Sequence, residues 1–599
     1  MTFAKVNTIF EDRTVSNPTL PLGICAMAGI TQRGTVGKAQ LVKSAADYFV
    51  KYGAVLDPTD SIFPILALRA LNNGAQLYIS RVEHLTDVND PSTTTATAAK
   101  GNNAGLFNYD EAVFATNVGL RQIIIAGDFE YAIAAAQIHT VLYQGGGSGN
   151  LTVSAVSYAS GYTTITYTTT VAAVTVGDRL TFSKTFLNTF AVEASSVGTW
   201  GNSVTFELKR SAANVANTVD VHASLDGADL DEVYPNFPTS PTATDISKFN
   251  AAMKLIQYVS HTAPIVRAPA VTLTTGTDDY ASITEIDYAG SGVGGTGLHA
   301  FDDIEGFVKV CVPEIDTNTM DNTVLNYVLG RKDAMLAILH APASLDAQAA
   351  IDYRQCTGVY TGGTKIDNWR AVMLYGGIKI ISPFDGESEL TISWVGDFIG
   401  LSATKDNAQR PWFSISGVDK TPLSGVTDIV YNINTAARAQ EAEDLTDNGL
   451  LPIIKKVVGG AQRILPWGDT TLQVTTSKLQ FLNVAELLVY VGNTCKPISE
   501  GALFKPNDPK TWKSIYRQVD AIMRDVQAGR GVNSFVYEGD QNAENINQAT
   551  LNQPADIAAG KYKFNLYLDA IVTIREVTQR FVLAQLVATA NGITVVGAA

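Results

Sequence analysis

The chain has 599 residues, of which 46% are hydrophobic and 17% charged, with a formal net charge of -15. That length exceeds a single core and predicts about three or four domains. The acidic balance argues against direct nucleic-acid binding, which needs clustered Lys and Arg, and the lack of any run of 18 apolar residues argues against membrane insertion.

Residues 1–22 read as an extended N-terminal arm. Thr8, Ile9 and Phe10 have strand character before Asn17-Pro18 and Leu20-Pro21 break it. No apolar core follows Lys5, Glu11, Asp12 and Arg13, so no secretory signal is expected. Residues 23–100 read as strand, helix, strand, with helices at 45–52 and 62–71 and a strand at 77–82. Residues 101–245 change texture. Gly145 to Gly149 reads as a flexible hinge, and Leu151 to Phe182 is dense in Thr, Val and Tyr, which predicts a β-rich insertion. Helical and strand patterns alternate again over 246–440, so 23–100 plus 246–440 are expected to form one α/β middle domain. Residues 441–599 are assigned to a C-terminal α+β domain. Its final strand candidate alternates from Tyr562 to Ile574, and Ile593, Thr594, Val595 and Val596 form a short terminal strand.

Within that domain the spacing predicts a helix with two opposed faces. Asp508 is the N-cap, Pro509 opens the helix and Gly529 ends it. Trp512, Ile515, Val519, Ile522 and Val526 form an apolar stripe. Lys510, Lys513, Arg517 and Arg524 recur on the other side, interrupted by Asp520. A cationic strip of this kind is either a solvated face or a contact surface.

Chemistry-bearing motifs are sparse. Gly292-Val-Gly294-Gly295-Thr-Gly297 matches a dinucleotide-binding string, but it follows Glu285 and Asp287 rather than an apolar strand and reads as a loop. The six histidines have no catalytic motif around them, no Gly-x-Ser-x-Gly elbow is present, and no metal-ligand spacing occurs. Cys25, Cys311, Cys356 and Cys495 stand apart without a Cys-x-x-Cys pair, which fits folding in a reducing cytoplasm. The expectation is a non-enzyme without cofactor or metal.

Several segments resemble contractile tail sheath proteins of bacteriophages. Phe504-Lys505-Pro506-Asn507-Asp508 with Trp512 is similar to the family's Phe-x-Pro-Asn…Trp segment. Asn448-Gly449-Leu450 and Trp467-Gly468-Asp469-Thr470-Thr471 resemble two more, with Thr470 where the family carries Arg. Asn545, Gly560 and Glu576 fall where the family has its Asp-x-x-Asn, a Gly before the last strand, and Pro-x-Glu. Gly34 to Gly53, Gly74 to Val82 and Ala194 to Asn202 are similar to the earlier part of the sheath core.

The resemblance implies a mixed α/β multidomain fold with a subtilisin-like middle domain, extended terminal arms and the insertion on the outer surface. It further implies a virion component, made and assembled in the host bacterial cytoplasm, that polymerises as stacked hexameric rings around a tail tube. Contraction would drive the tube through the host envelope. Expected partners are other copies of the chain joined through terminal arms, the tube protein, and baseplate and tail terminator or neck proteins. The sheath of an extracellular contractile injection system or a tailocin is the alternative; a subtilisin-like hydrolase is the alternative of another class. The strip Lys510, Lys513, Arg517 and Arg524 is the expected tube-facing surface. Thr8, Ile9, Phe10 and Ile593 to Val596 are the expected inter-subunit strands.

Overall fold

Strands whose residues are all buried can only lie between two covered faces, and Ile24–Gly29, Leu336–His340 and Ala371–Tyr375 are of this kind. In the computed structural model they lie in an eight-stranded sheet. The structure describes residues 23–135, 137–168, 173–187, 189–213, 215–225, 230–575, 585–589 and 592–596. The sheet order is 40–42, 76–81, 24–29, 309–311, 336–340, 371–375, 450–458, 461–466. The six inner strands run parallel, and the strand at each edge is antiparallel to its neighbour. Alternation along the strands feeds two cores. Cys25, Met27, Val372 and Leu374 face the helices Phe63–Asn72 and Val395–Ala408. Ile24, Ala26, Met373 and Tyr375 face Asn318–Gly330 and Ala347–Gln355.

The β-rich region contains a closed six-stranded barrel, formed by 105–117, 122–126, 138–142, 148–159, 162–167 and 179–186. Its interior is aliphatic and aromatic, with Val113, Ile123, Val141, Leu151, Ile165, Leu180 and Phe182 buried. Beside it lie a three-stranded and a four-stranded sheet. Gly145 to Gly147 are the turn of the hairpin joining 138–142 to 148–159, with Gly146 and Gly147 both at φ +90°, so they serve a tight reversal and not a hinge.

Two boundaries differ from expectation. The helix Ala243–Ala252 and the strands Ile256–His261 and Ala268–Thr272 belong with the β-rich sheets, because Ala194 pairs with Ile256 and Thr205 with Thr272. The β-rich unit therefore continues to about residue 273, beyond the expected end at 245. Likewise Leu450–Val458 and Ala461–Pro466 join the parallel sheet through the pair Met373–Leu450, so the C-terminal unit starts after 466 and not at 441. Gly198-Thr199-Trp200-Gly201-Asn202 sits at the joint of the β-rich and middle units. Buried Trp200 lies under the Arg33 guanidinium, 5.5 Å from its ring centroid, and the side-chain amide of Asn202 exchanges hydrogen bonds with the Gly276 backbone at 2.8 and 3.0 Å.

The C-terminal unit is built from the helices Leu482–Glu500 and Pro509–Ala528 and a two-stranded antiparallel sheet of Val532–Glu538 with Asn565–Ala570. The alternating run from Tyr562 to Ile574 thus forms a ladder only over its middle. Beyond the body, Gln585–Thr589 and Gly592–Val596 pair as a hairpin.

Candidate functional site

The helix Pro509–Ala528 begins at Asp508, whose side chain accepts from Thr511 N at 2.9 Å; that bond holds the Asp508 carboxyl below its usual range. Its apolar stripe is buried, Trp512, Ile515, Val519, Ile522, Met523 and Val526 all lying in the core of this unit. Asn507 fixes the entry: its side-chain oxygen accepts from Trp512 Nε1 at 2.7 Å, while its amide donates to Lys561 O at 2.9 Å. The Trp512 ring stacks on Tyr562 at 5.7 Å. The residues of the Phe504 to Trp512 segment are therefore joined by contacts that seat the helix. Phe504 itself stands at φ +66° with its side chain fully in solvent.

Lys510, Lys513, Arg517 and Arg524 are all exposed. At about 100° per residue they fall within an arc of roughly 60° and span about 21 Å along the axis, opposite the buried stripe. Arg524 is tied to Asp520 by an i, i+4 ion pair at 2.6 Å, which holds its guanidinium above its ordinary range. Lys513 and Arg517 form no ion pair among the described residues. The rigid helix keeps the spacing of these like charges fixed.

Residues that sequence reasoning missed hold this helix in place. Arg410 makes a bidentate pair with Asp525 at 2.7 and 3.0 Å, and Trp412 Nε1 donates to Gly529 O at 2.9 Å. Each lies more than a hundred residues from the partner it bonds, which leaves no signal in local spacing. Beneath that loop lies a buried ionic tetrad. Lys309 Nζ is 3.1 Å from Asp406 and 3.3 Å from Glu486, and Lys405 Nζ is 2.9 Å from Asp406 and 2.6 Å from Glu486. Lys405 also donates to Pro411 O at 2.6 Å. Burial disfavours the charges, yet Asp406 and Glu486 hold the Lys309 ammonium above its usual range, and the two lysines hold Asp406 below its own.

The second candidate surface is backbone. Val532–Glu538 and Asn565–Ala570 pair with each other and with no further strand among the described residues; Asn533 O and Tyr537 O of the first accept from the side-chain amides of Gln527 and Gln541 at 2.8 and 3.0 Å. Ile593, Thr594, Val595 and Val596 are not a lone strand: they pair with Ala588, Val587, Leu586 and Gln585 in the hairpin, which leaves one edge of their strand open. Thr8, Ile9 and Phe10 lie outside the described residues.

The chemical motifs find no site. The Gly292 to Gly297 string is the loop between the short helix Glu285–Ala289 and the 3-10 turn Gly297–Phe301, without the strand and helix a pyrophosphate cradle needs. Among the described residues no serine hydroxyl hydrogen-bonds a histidine; His84 meets Asp287, His261 meets Tyr258 and His299 meets Asp302. No group of His, Cys, Asp or Glu among them could hold a metal ion, and no helix among them is long and apolar enough to cross a membrane.

No family model matches the chain. It is 27% identical over 193 residues to the tail sheath protein of Vibrio phage KVP40, a match covering 32% of this chain and 26% of that protein. The chain thus matches about a quarter of the length of that curated relative. In structure it superposes on the sheath tail protein of Listeria innocua with a TM-score of 0.51 at 12% identity, covering 88% of this chain and 90% of that one. The chain carries the fold of a tail sheath protein. The sheath tail protein of Desulfitobacterium hafniense aligns over 90% of this chain and 94% of that one, at 14% identity and a TM-score of 0.47. Within this sheath fold, the cationic helix and the open two-stranded sheet both lie in the C-terminal unit.

Proposed function

We propose that this chain is the structural subunit of a contractile tail sheath, assembling as stacked hexameric rings around an inner tube and shortening to drive that tube through a cell envelope. The single observation that carries the reading is the joint presence, in one unit of a sheath fold, of an exposed cationic face on which, among the described residues, only Arg524 has an ion-pair partner and a sheet two strands wide. A two-stranded sheet is marginal on its own, and terminal arms of neighbouring copies, Ile593 to Val596 included, would complete it by strand addition. Main-chain hydrogen bonds of this kind survive large rotations of the bodies they join. The face formed by Lys510, Lys513, Arg517 and Arg524 then meets an acidic tube surface. Exposed ion pairs contribute only about 0–1 kcal/mol each and weaken with salt, which suits a contact that must release in every ring. Contraction is a switch between two packings of whole subunits. Baseplate and terminator proteins close the two ends. On this reading the helix-flanked parallel sheet would be the subtilisin-like middle domain that the resemblance implies.

The double charge reversal Lys513→Glu with Arg517→Glu tests the tube-facing role. Assembly of sleeves on purified tubes should be lost, while tube-free polymerisation of the same protein, seen by negative-stain microscopy, stays at the wild-type level. Wild-type assembly on tubes would remove the role of the strip. The same subunit would serve a phage or a tail-like injection particle, and the presence of packaged DNA in purified particles separates the two.

A further inference from the structure

Past Ala570 the chain leaves its ladder but not the body. Ile571 N donates to Gly531 O at 3.1 Å, and Ile571 O accepts from the side-chain amide of Asn483 at 2.8 Å. The Thr573 hydroxyl donates to the Asp469 carboxylate. Arg575 reaches Asp469 O at 2.7 Å and Gln480 O at 3.2 Å, with its guanidinium 3.8 Å above the Phe481 ring. Asp469 is itself held by Asn483 N at 3.2 Å, and both Asp469 and Asn483 are more than nine-tenths buried. Val572 and Ile574 point outward, Ile574 with 82% of its surface exposed. Residues 571–575 are thus a strap held through the Ile571 backbone and the Thr573 and Arg575 side chains, by Gly531, by the loop carrying the Trp467 to Thr471 motif, and by the segment Gln480 to Asn483 that opens the helix Leu482–Glu500.

We infer that Asp469, Asn483 and Arg575 clamp the root of the C-terminal arm, so that tension on the hairpin 585–596 enters the body at residues 571–575 and not at the strand Asn565–Ala570. The clamp is mechanical and rests on the proposed strand-adding role of the C-terminal arm. Val532 pairs with Ala570 at the end of a sheet only two strands wide. A pull applied there would open the ladder one pair at a time. With the strap in place the same pull meets several side-chain bonds at once, distributed over separate elements, and buried polar groups that would lose their partners if it peeled away. Asp469 and Asn483 are positioning residues in this scheme, and Arg575 is the outer bolt.

Hydrogen exchange on the full-length soluble protein tests the clamp without any assembly. Arg575→Ala and, separately, Thr573→Val should speed exchange of the Ile571 amide, which donates to Gly531 O, about tenfold, equivalent to ~1.4 kcal/mol, while exchange in Pro509–Ala528 is unaltered. Ile574→Ser, which alters only an outward side chain, should change nothing. Equal exchange in all four proteins would overturn the clamp. The second measurement is the length of sleeves after contraction: the two clamp variants should fragment where wild type stays continuous. Faster exchange with sleeves as long as wild type would overturn the claim that the strap carries tension. Wild-type protein that never forms sleeves would instead sink the arm reading, with the exchange result still reporting on the contacts.

Discussion

The buried tetrad and the exposed strip use the same kinds of side chain for opposite purposes. Lys309, Lys405, Asp406 and Glu486 are almost wholly excluded from water, and each touches two charges of opposite sign. Lys510, Lys513, Arg517 and Arg524 lie in water, with Arg524 alone in an ion pair. A buried network of this geometry cannot be rearranged piecemeal, because each step would strand a charge in a low-dielectric interior. It fixes how the helix Leu482–Glu500 sits on the parallel sheet. An exposed strip imposes nothing on its own subunit and is available to a partner. Burial, more than charge, decides whether an ionic group sets shape or mediates a releasable contact.

Breaking the tetrad gives the largest expected effect. Glu486→Ala leaves Lys309 and Lys405 facing Asp406 alone and should destabilise the protein by about 3–5 kcal/mol, seen as an early thermal transition. Replacing all four groups with Met and Leu should leave the melting temperature near or above wild type, since an apolar core avoids the desolvation of charge. If the fourfold variant melted as early as Glu486→Ala, the network would be a source of stability and not chiefly of geometry.

The same contrast explains what could be read from the chain. The helix Pro509–Ala528 was legible in full because its signals are local: Asp508 caps it, Pro509 opens it, and the apolar and cationic residues recur at its own period. The all-buried strands of the middle sheet were legible as α/β alternation. The end of the β-rich unit was not, because Ile256–His261 and Ala268–Thr272 pair with residues 60 or more positions earlier. Leu450–Val458 was misassigned for the same reason, its place being set by Ala371–Tyr375. In the terminal run, Thr573 and Arg575 alternate as a strand would, yet side chains hold them where no neighbouring strand does. The tetrad left no trace in the sequence, since four charges at 309, 405, 406 and 486 have no shared spacing.

Asp469 is a buried carboxylate without a cation on its carboxyl oxygens among the described residues. Burial raises its pKa to about 6, against the opposing pull of the Thr573 hydroxyl, with Glu486 adding to the rise. The folded protein therefore keeps a proton that the unfolded chain, near its ordinary value of 3.8, has already released. Stability from this group is full below about pH 4, falls as pH rises to about 6, and is level above, for a total of roughly 3 kcal/mol. Asp469→Asn keeps an acceptor for Thr573 and cannot ionise. Its melting temperature relative to wild type should climb between pH 4 and 6 and then hold constant. A difference that does not vary with pH would show that the carboxyl is not the titrating group.

The smallest expected effect lies on the strip itself. Asp520→Asn removes the partner of Arg524 and leaves an unbroken arc of cations on the helix surface. Arg524 is exposed while Asp520 is only partly so, and an i, i+4 pair of this kind contributes about 0.3–0.5 kcal/mol, so thermal unfolding should shift only slightly from wild type. What should change is the salt response. Screening acts on exposed charge over about 10 Å at 0.1 M salt, and an additional free cation gives it more to act on. Sleeve assembly on tubes should therefore be tighter than wild type at low salt and fall off more steeply as salt is raised. A shallower dependence would mean that Asp520, and not the cations around it, is the group that the opposing surface reads.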